Sequence, residues 1–96
     1  MKLEYTNQAL ADLRKIAADS RALGEDVAIA VEMRIRTVIE RVAQRPKAAE
    51  PVAERPGMRV VPLIRYPYKI FYRILEDRVR ILHIRHTARK PWTEKR

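Results

Sequence analysis

Residues 68–85 have the sequence YKIFYRILEDRVRILHIR, and this stretch decides the fold. It contains two runs rich in β-branched and aromatic residues, 68–75 and 78–85, joined by a short acidic turn. Such runs are typical of strands, and strands joined this closely along the chain form an antiparallel pair. The preceding run MRVVPLI, at 58–64, has a similar composition. The second half of the chain therefore predicts a three-stranded antiparallel meander.

The first half of the chain predicts a short strand and then a helix. Residues 2–5, KLEY, alternate between polar and apolar, as in a strand with one buried face. Thr6 or Asn7 can cap the helix that follows, because either side chain can accept a hydrogen bond from the N–H groups of its first turn. The predicted buried stripe of this helix consists of Leu10, Leu13, Ile16 and Ala17.

A second and longer helix is predicted from about Asp26, after a turn at Gly24. Its apolar residues recur at steps of three and four, which is typical of a helix with one buried face. Pro46 should end this helix, because proline cannot continue the helical hydrogen-bond pattern. The stripe consists of Val27, Val31, Ile35, Val38, Ile39 and Val42.

The proline-rich residues 46–57 predict a connector with neither helix nor strand. With 96 residues, the chain is expected to form a single domain over residues 1–96. The predicted fold class is α+β. It has an N-terminal short strand, two packed helices and a three-stranded antiparallel meander, with both helices on one face of the sheet.

Alternation along the last two strands predicts which side chains face the helices. Ile70 and Tyr72 should be buried, because they share one face of the strand at 68–75. In the strand at 78–85, Leu82 and Ile84 should join them. The opposite face should then carry Lys69, Phe71, Arg73, Ile81, His83 and Arg85.

Positive charge is concentrated in the second half of the chain. The formal net charge is +9, and residues 1–54 contain as many acidic as basic residues, so the whole excess lies in residues 55–96. A basic half indicates a polyanionic partner, either a nucleic acid or an acidic polypeptide. The alternative is that the arginines serve only solubility.

Several kinds of chemistry can be weighed from residue types. The chain has no cysteine, which excludes disulfides and thiolate metal sites. His83 and His86 are three apart on a strand and point to opposite faces, so no metal site is expected, and no cofactor either. His83 beside arginines could act as a general acid or base in phosphodiester cleavage, or could only hydrogen-bond a neighbouring segment. Trp92 is expected to anchor the tail.

No membrane contact is expected. No run approaches the roughly 20 apolar residues that span a bilayer, and the first ten residues lack the apolar region of a secretory signal. We therefore expect a cytoplasmic location.

Two segments resemble a known family. Residues 59–92, RVVPLIRYPYKIFYRILEDRVRILHIRHTARKPW, are similar to the C-terminal half of the ParE/RelE superfamily of type II toxin–antitoxin toxins, and residues 6–17, TNQALADLRKIA, resemble its first helix. The resemblance implies the fold derived above and a toxin of growth arrest or plasmid stabilization. It also implies a hetero-oligomer in which a cognate antitoxin covers the basic sheet surface.

Members of this superfamily differ in the molecule on which they act. RelE-like members cut messenger RNA in the ribosome with basic residues of the sheet and a C-terminal tyrosine. Lys69 stands at the place of one such arginine and Arg89 or Lys90 near another, but Trp92 offers no ionisable hydroxyl where the tyrosine is expected. The HIRH ending, residues 83–86, resembles ParE-like members, which inhibit DNA gyrase.

The ParE-like function is therefore expected, and two alternatives stay open. One is RelE-like ribosome-dependent mRNA cleavage, and the other is a stand-alone basic nucleic-acid-binding module. For a nuclease, the catalytic candidates are Lys69, His83 and Arg89. The residues expected to bind the target or the antitoxin are Lys69, Arg73, Arg85, His86, Arg89, Lys90 and Trp92.

Overall fold

The computed structural model describes residues 1–87. A short strand, two helices and four further strands follow one another along the chain, which gives the α+β class predicted from the sequence. The elements are β1 (Lys2–Tyr5), α1 (Asn7–Leu23), α2 (Glu25–Gln44), β2 (Glu50–Pro51), β3 (Met58–Pro62), β4 (Tyr68–Ile74) and β5 (Arg78–His86). Among these residues, neither helix is long and apolar enough to cross a membrane.

The strands form one sheet in the order β1-β5-β4-β3-β2. The predicted meander is confirmed as β3, β4 and β5, which pair antiparallel, while β1 runs parallel to β5 at one edge. The prediction of a connector without strands was wrong at β2, where Glu50 pairs with Val60. Arg59 explains the ordering, because its guanidinium donates to the carbonyl of Ala49 at 2.7 Å and holds the connector against β3.

The core lies between the helices and one face of the sheet. The predicted stripe of α2 is confirmed, since all of its members except the half-buried Val27 are buried. On the sheet, Ile70 and Tyr72 are fully buried, as alternation predicted. The prediction for α1 was wrong at Leu10, which is 40% exposed. Ala9 takes the buried position instead, because α1 turns toward the core the face that also carries Ile16 and Ser20.

A β-bulge changes the facing of residues in β5. Phe71 pairs with His83, but the next residue of β4, Tyr72, pairs with Ile81, so Leu82 is an extra residue in β5. An extra residue reverses the alternation on one side of the bulge. Ile81 is therefore fully buried and Leu82 only half-buried, the reverse of what unbroken alternation predicts. Ile84 is buried, as predicted.

Thr6 joins the start of α1 to β5. Its hydroxyl accepts a hydrogen bond from the Ala9 N–H at 3.0 Å, which caps the helix as predicted, and donates to the Leu82 carbonyl at 2.8 Å. The Thr6 N–H donates to the Ile81 carbonyl at 3.1 Å. One residue therefore satisfies polar groups of both the helix terminus and the bulged strand.

Replacing Thr6 with alanine should lower the free energy of unfolding by about 1–3 kcal/mol, because both hydroxyl bonds are lost. Chemical denaturation of the purified protein measures this change. Thr6→Ser is the matched control, since it keeps the hydroxyl and removes only a methyl group. A loss for Thr6→Ser equal to that for Thr6→Ala would contradict the assigned role of the hydroxyl.

Candidate binding surface

The sheet face away from the helices carries facing pairs of cations. Residues directly opposite each other on neighbouring strands share a face of the sheet. Lys69 lies opposite Arg85, and Arg73 lies opposite Arg80, with the Phe71 and His83 pair between them. We call the surface formed by Lys69, Arg73, Arg80 and Arg85 the basic face.

The part of the basic face next to β1 is partly neutralised. The Glu4 carboxylate accepts hydrogen bonds from both Arg78 and Arg80, the latter at 2.9 Å. The Arg78 and Arg80 guanidiniums lower the pKa of Glu4 below its ordinary value, so Glu4 is charged at neutral pH. The positive charge that a partner meets is therefore concentrated away from β1, toward Lys69, Arg73 and Arg85.

Arg73 is held against the loop that precedes β3. Its guanidinium donates to the Pro56 carbonyl at 3.1 Å. The next residue, Gly57, has a φ of +83°, and a Cβ atom there would lie 2.6 Å from the Arg73 Nη1 atom. Glycine is favoured at this turn by its left-handed backbone conformation, and a Cβ atom there would also push aside the flexible end of Arg73.

His83 lies mostly inside the protein. Its exposed fraction is 8%, and its Nδ1 atom is 2.5 Å from the Asp12 carboxylate of α1. Its Nε2 atom lies 3.2 Å from the Arg85 Nη1 atom. Both ring nitrogens therefore have partners within the protein. Asp12 is a site residue that sequence reasoning missed, because it is separated from His83 by 71 positions and only the fold brings the two together.

The residues predicted to bind a partner separate into groups. Lys69, Arg73 and Arg85 share the basic face, as the pairing of β4 with β5 places them. His86 lies elsewhere, since its ring packs edge-to-face against Tyr68 at 5.4 Å, beside a small cavity lined by α1. Arg89, Lys90 and Trp92 lie outside the described residues. Within residues 1–87, no cluster of His, Asp and Glu side chains has the grouping of a metal site.

An apolar groove lies on the helix side of the molecule. Its volume is about 600 Å³, and side chains from α1, α2 and β1 line it. Ile29 lines the groove while half of its surface is exposed. Burial raises the pKa of the Tyr5 hydroxyl in the groove wall above its ordinary value. The groove is a second surface that a partner could cover.

A protein-family model matches this chain. The model of the ParE toxin of type II toxin–antitoxin systems, parDE, matches residues 3–91, nearly the whole chain. The chain belongs to the ParE toxin family. No curated protein sequence matches it. Family membership makes this ParE-family chain the toxin of a type II toxin–antitoxin system.

Solved structures share the fold of this ParE-family chain. The chromosomal ParDE system of P. aeruginosa is 27% identical, with a TM-score of 0.79, covering 92% of this chain and 97% of that chain. The intact E. coli RelBE toxin–antitoxin complex is 20% identical, with a TM-score of 0.63 and coverages of 93% and 98%. Isolated E. coli RelE is 20% identical, with a TM-score of 0.58 and coverages of 93% and 86%. The two E. coli similarities establish a shared fold only.

Proposed function

We propose that this toxin inhibits DNA gyrase and arrests growth, and that a cognate antitoxin neutralises it. The match of the ParE toxin family model to residues 3–91 carries the proposal. Gyrase inhibition is the activity that the resemblance to ParE-like members implies. The proposal includes a cytoplasmic location, because that is where the toxin would meet gyrase. Adding purified toxin to gyrase and relaxed plasmid should therefore reduce supercoiling.

The surroundings of His83 support a function without RNA cleavage. A general base needs a ring nitrogen within hydrogen-bonding distance of the substrate hydroxyl. In this chain Asp12 occupies one nitrogen of His83 and Arg85 the other, and the ring is buried. A substrate would have to displace Arg85 before His83 could exchange a proton with it.

The alternative is RelE-like ribosome-dependent cleavage of messenger RNA, and one observation favours it. Lys69 is exposed directly opposite Arg85, so two cations stand side by side on the basic face. Such a pair could bind a phosphate and stabilise charge that develops in cleavage. Membership of the ParE toxin family argues against the hypothesis of a stand-alone nucleic-acid-binding module.

The basic face is proposed as the antitoxin site. An acidic antitoxin segment would meet Arg73 and Arg85 there, and opposite charges speed encounter and select the partner. The solved ParDE and RelBE structures are of toxin–antitoxin systems, which supports an antitoxin partner for this chain.

Reversing the charge of Arg73 and Arg85 together, to glutamate, should slow association with the antitoxin and weaken its dependence on salt. Association rates measured at several salt concentrations test this. The matched control is Arg41→Glu with Lys47→Glu, which changes the net charge equally at exposed positions outside the basic face. Wild-type rates and salt slopes in the Arg73 and Arg85 variant would exclude the basic face as the antitoxin site.

If the antitoxin binds in the groove instead of on the basic face, a different dependence on salt is expected. Its wall is apolar, and two of its charged pairs, Arg21 with Glu25 and Arg36 with Glu32, are already satisfied within the protein. Binding there by an amphipathic antitoxin helix would depend on apolar burial and little on salt. A loss of affinity in Ile29→Asp at an unchanged salt slope would assign the antitoxin to the groove.

A further inference from the structure

Helix α1 reaches the edge of β5 where β1 ends. β1 pairs with β5 only as far as Ile81, so the next residues of β5 face α1 instead of a strand. Asp12 of α1 accepts a hydrogen bond there from the Ile84 N–H at 2.9 Å. The same carboxylate oxygen contacts the His83 Nδ1 atom at 2.5 Å. Asp12 therefore binds both the backbone and a side chain of the bulged strand.

A chain of side chains leads from Asp12 to the basic face. Asp12 and His83 have side chains that are only 14% and 11% exposed, so both are held by their surroundings. Beyond His83, the Arg85 Nη1 atom lies 3.2 Å from Nε2. The order Asp12, His83, Arg85 thus runs from α1, past the edge of β5, to the basic face.

The donors and acceptors fix the roles in this chain. A guanidinium can only donate, so Nε2 of His83 must accept from Arg85. The single proton of a neutral imidazole is then on Nδ1, where it donates to the Asp12 carboxylate. A histidine with protons on both nitrogens would set an N–H group against the Arg85 guanidinium, with no acceptor between them. The contact with Arg85 therefore requires the Nδ1–H form.

Lys69 stands directly opposite Arg85 on the basic face. Like charges opposite each other on a sheet repel, which drives long side chains apart. Nε2 of His83 gives the guanidinium an acceptor that resists this displacement. We propose that Asp12 and His83 are positioning residues that set the direction in which Arg85 is presented on the basic face. That Arg85 then binds an acidic polypeptide rests on the proposed function.

Nuclear magnetic resonance of the ring nitrogens tests the chain without any partner. Long-range nitrogen–proton spectra should show His83 protonated on Nδ1 in the free wild-type protein at neutral pH. Asp12→Ala should lose that preference, whereas Asp19→Asn, which removes a negative charge from an exposed position of α1, should keep it. A wild-type His83 protonated on Nε2, or on both nitrogens, would overturn the proposal.

Two replacements of His83 distinguish a role in positioning Arg85 from a role in supporting the fold. Glutamine can place a carbonyl oxygen near the position of Nε2, so His83→Gln keeps an acceptor for Arg85. Asparagine can place an amide N–H near the position of Nδ1, so His83→Asn keeps only the contact with Asp12. Side-chain spectra of Arg85 should show a guanidinium that rotates more slowly in His83→Gln than in His83→Asn. Equal disorder in both variants would mean that His83 only supports the fold.

Binding of poly-L-glutamate, measured by calorimetry at low salt, tests the consequence. Arg85→Gln and His83→Asn should each bind roughly two- to fivefold more weakly than wild type, as expected for a partly exposed ion pair. His83→Gln should bind like wild type, and His83→Asn should add no loss to Arg85→Gln. A separate loss in that double variant would overturn the positioning role.

The proposed function can fail separately. If Arg85→Gln leaves poly-L-glutamate binding unchanged but weakens binding of a single-stranded RNA, an acidic polypeptide is the wrong class of partner for the basic face. The spectra of His83 and Arg85 decide the positioning role in either case.

Discussion

Replacing Tyr72 with alanine should lower the free energy of unfolding by about 3–5 kcal/mol, the range for removing a large, well-packed aromatic side chain. Tyr72 is completely buried, and it is the largest of the fully buried side chains in the described residues. Its ring packs in the core cluster between the sheet and the helices. Its hydroxyl also donates to the Pro46 carbonyl at 2.5 Å, which fixes the connector after α2. Alanine would leave both a cavity and an unsatisfied carbonyl.

Urea denaturation followed by circular dichroism measures this change, and two controls separate its causes. Tyr72→Phe removes only the hydroxyl bond and should cost about 0.5–1.5 kcal/mol. Leu23→Ala removes a side chain that is 77% exposed and should change stability little. A loss for Tyr72→Ala no larger than that for Tyr72→Phe would contradict a well-packed position of the Tyr72 ring in the core.

Replacing Lys69 or His83 with alanine should give graded losses of toxicity, because in a gyrase inhibitor these residues act only through binding. In an RNA-cleaving enzyme the same substitutions would remove charge stabilisation or proton transfer and lower the rate by roughly a hundredfold or more. Growth arrest measured at matched levels of folded toxin distinguishes the two cases. Lys69→Ala is the cleaner variant, since Lys69 is exposed, and Lys47→Ala is its matched control at another exposed lysine.

The segment from His86 to Trp92 should matter at least as much as Lys69 for gyrase inhibition. The sequence of this segment contains Arg89 and Trp92, and arginine and tryptophan are residue types enriched among those that contribute most to binding. Replacing Arg89, Lys90 and Trp92 together with alanine should therefore reduce toxicity at least as strongly as Lys69→Ala. A toxin that is unaffected by that triple replacement, but loses about a hundredfold activity in Lys69→Ala, would contradict the binding account.

Much of the fold was predictable because local patterns and the core agreed. The apolar spacing of α2 predicted its buried face. Thr6 or Asn7 was predicted as the cap of α1, and the hydroxyl of Thr6 accepts from the first helical turn. The facing of Ile70 and Tyr72 followed from simple alternation. The bulge at Leu82 was missed because unbroken alternation was assumed along β5. The apolar positions of β5 change phase there, from Val79 and Ile81 to Leu82 and Ile84.

The candidate binding surface was only partly predictable from the sequence, because part of it depends on how distant segments pack together. Alternation in β4 placed Lys69 and Arg73 on one face, and the charge of the second half of the chain indicated a polyanionic partner. Asp12 gave no comparable signal, because an acidic residue in a surface helix is ordinarily exposed. Its contact with His83 arises only when α1 packs beside the part of β5 that extends past β1.

The most direct test of gyrase inhibition uses the purified toxin in two parallel assays, gyrase supercoiling of relaxed plasmid and integrity of messenger RNA on translating ribosomes. We predict that supercoiling falls with toxin concentration, that added antitoxin restores it, and that messenger RNA stays intact. Site-specific cuts in messenger RNA on translating ribosomes, with supercoiling unaffected, would contradict the proposal and assign the toxin to ribosome-dependent RNA cleavage.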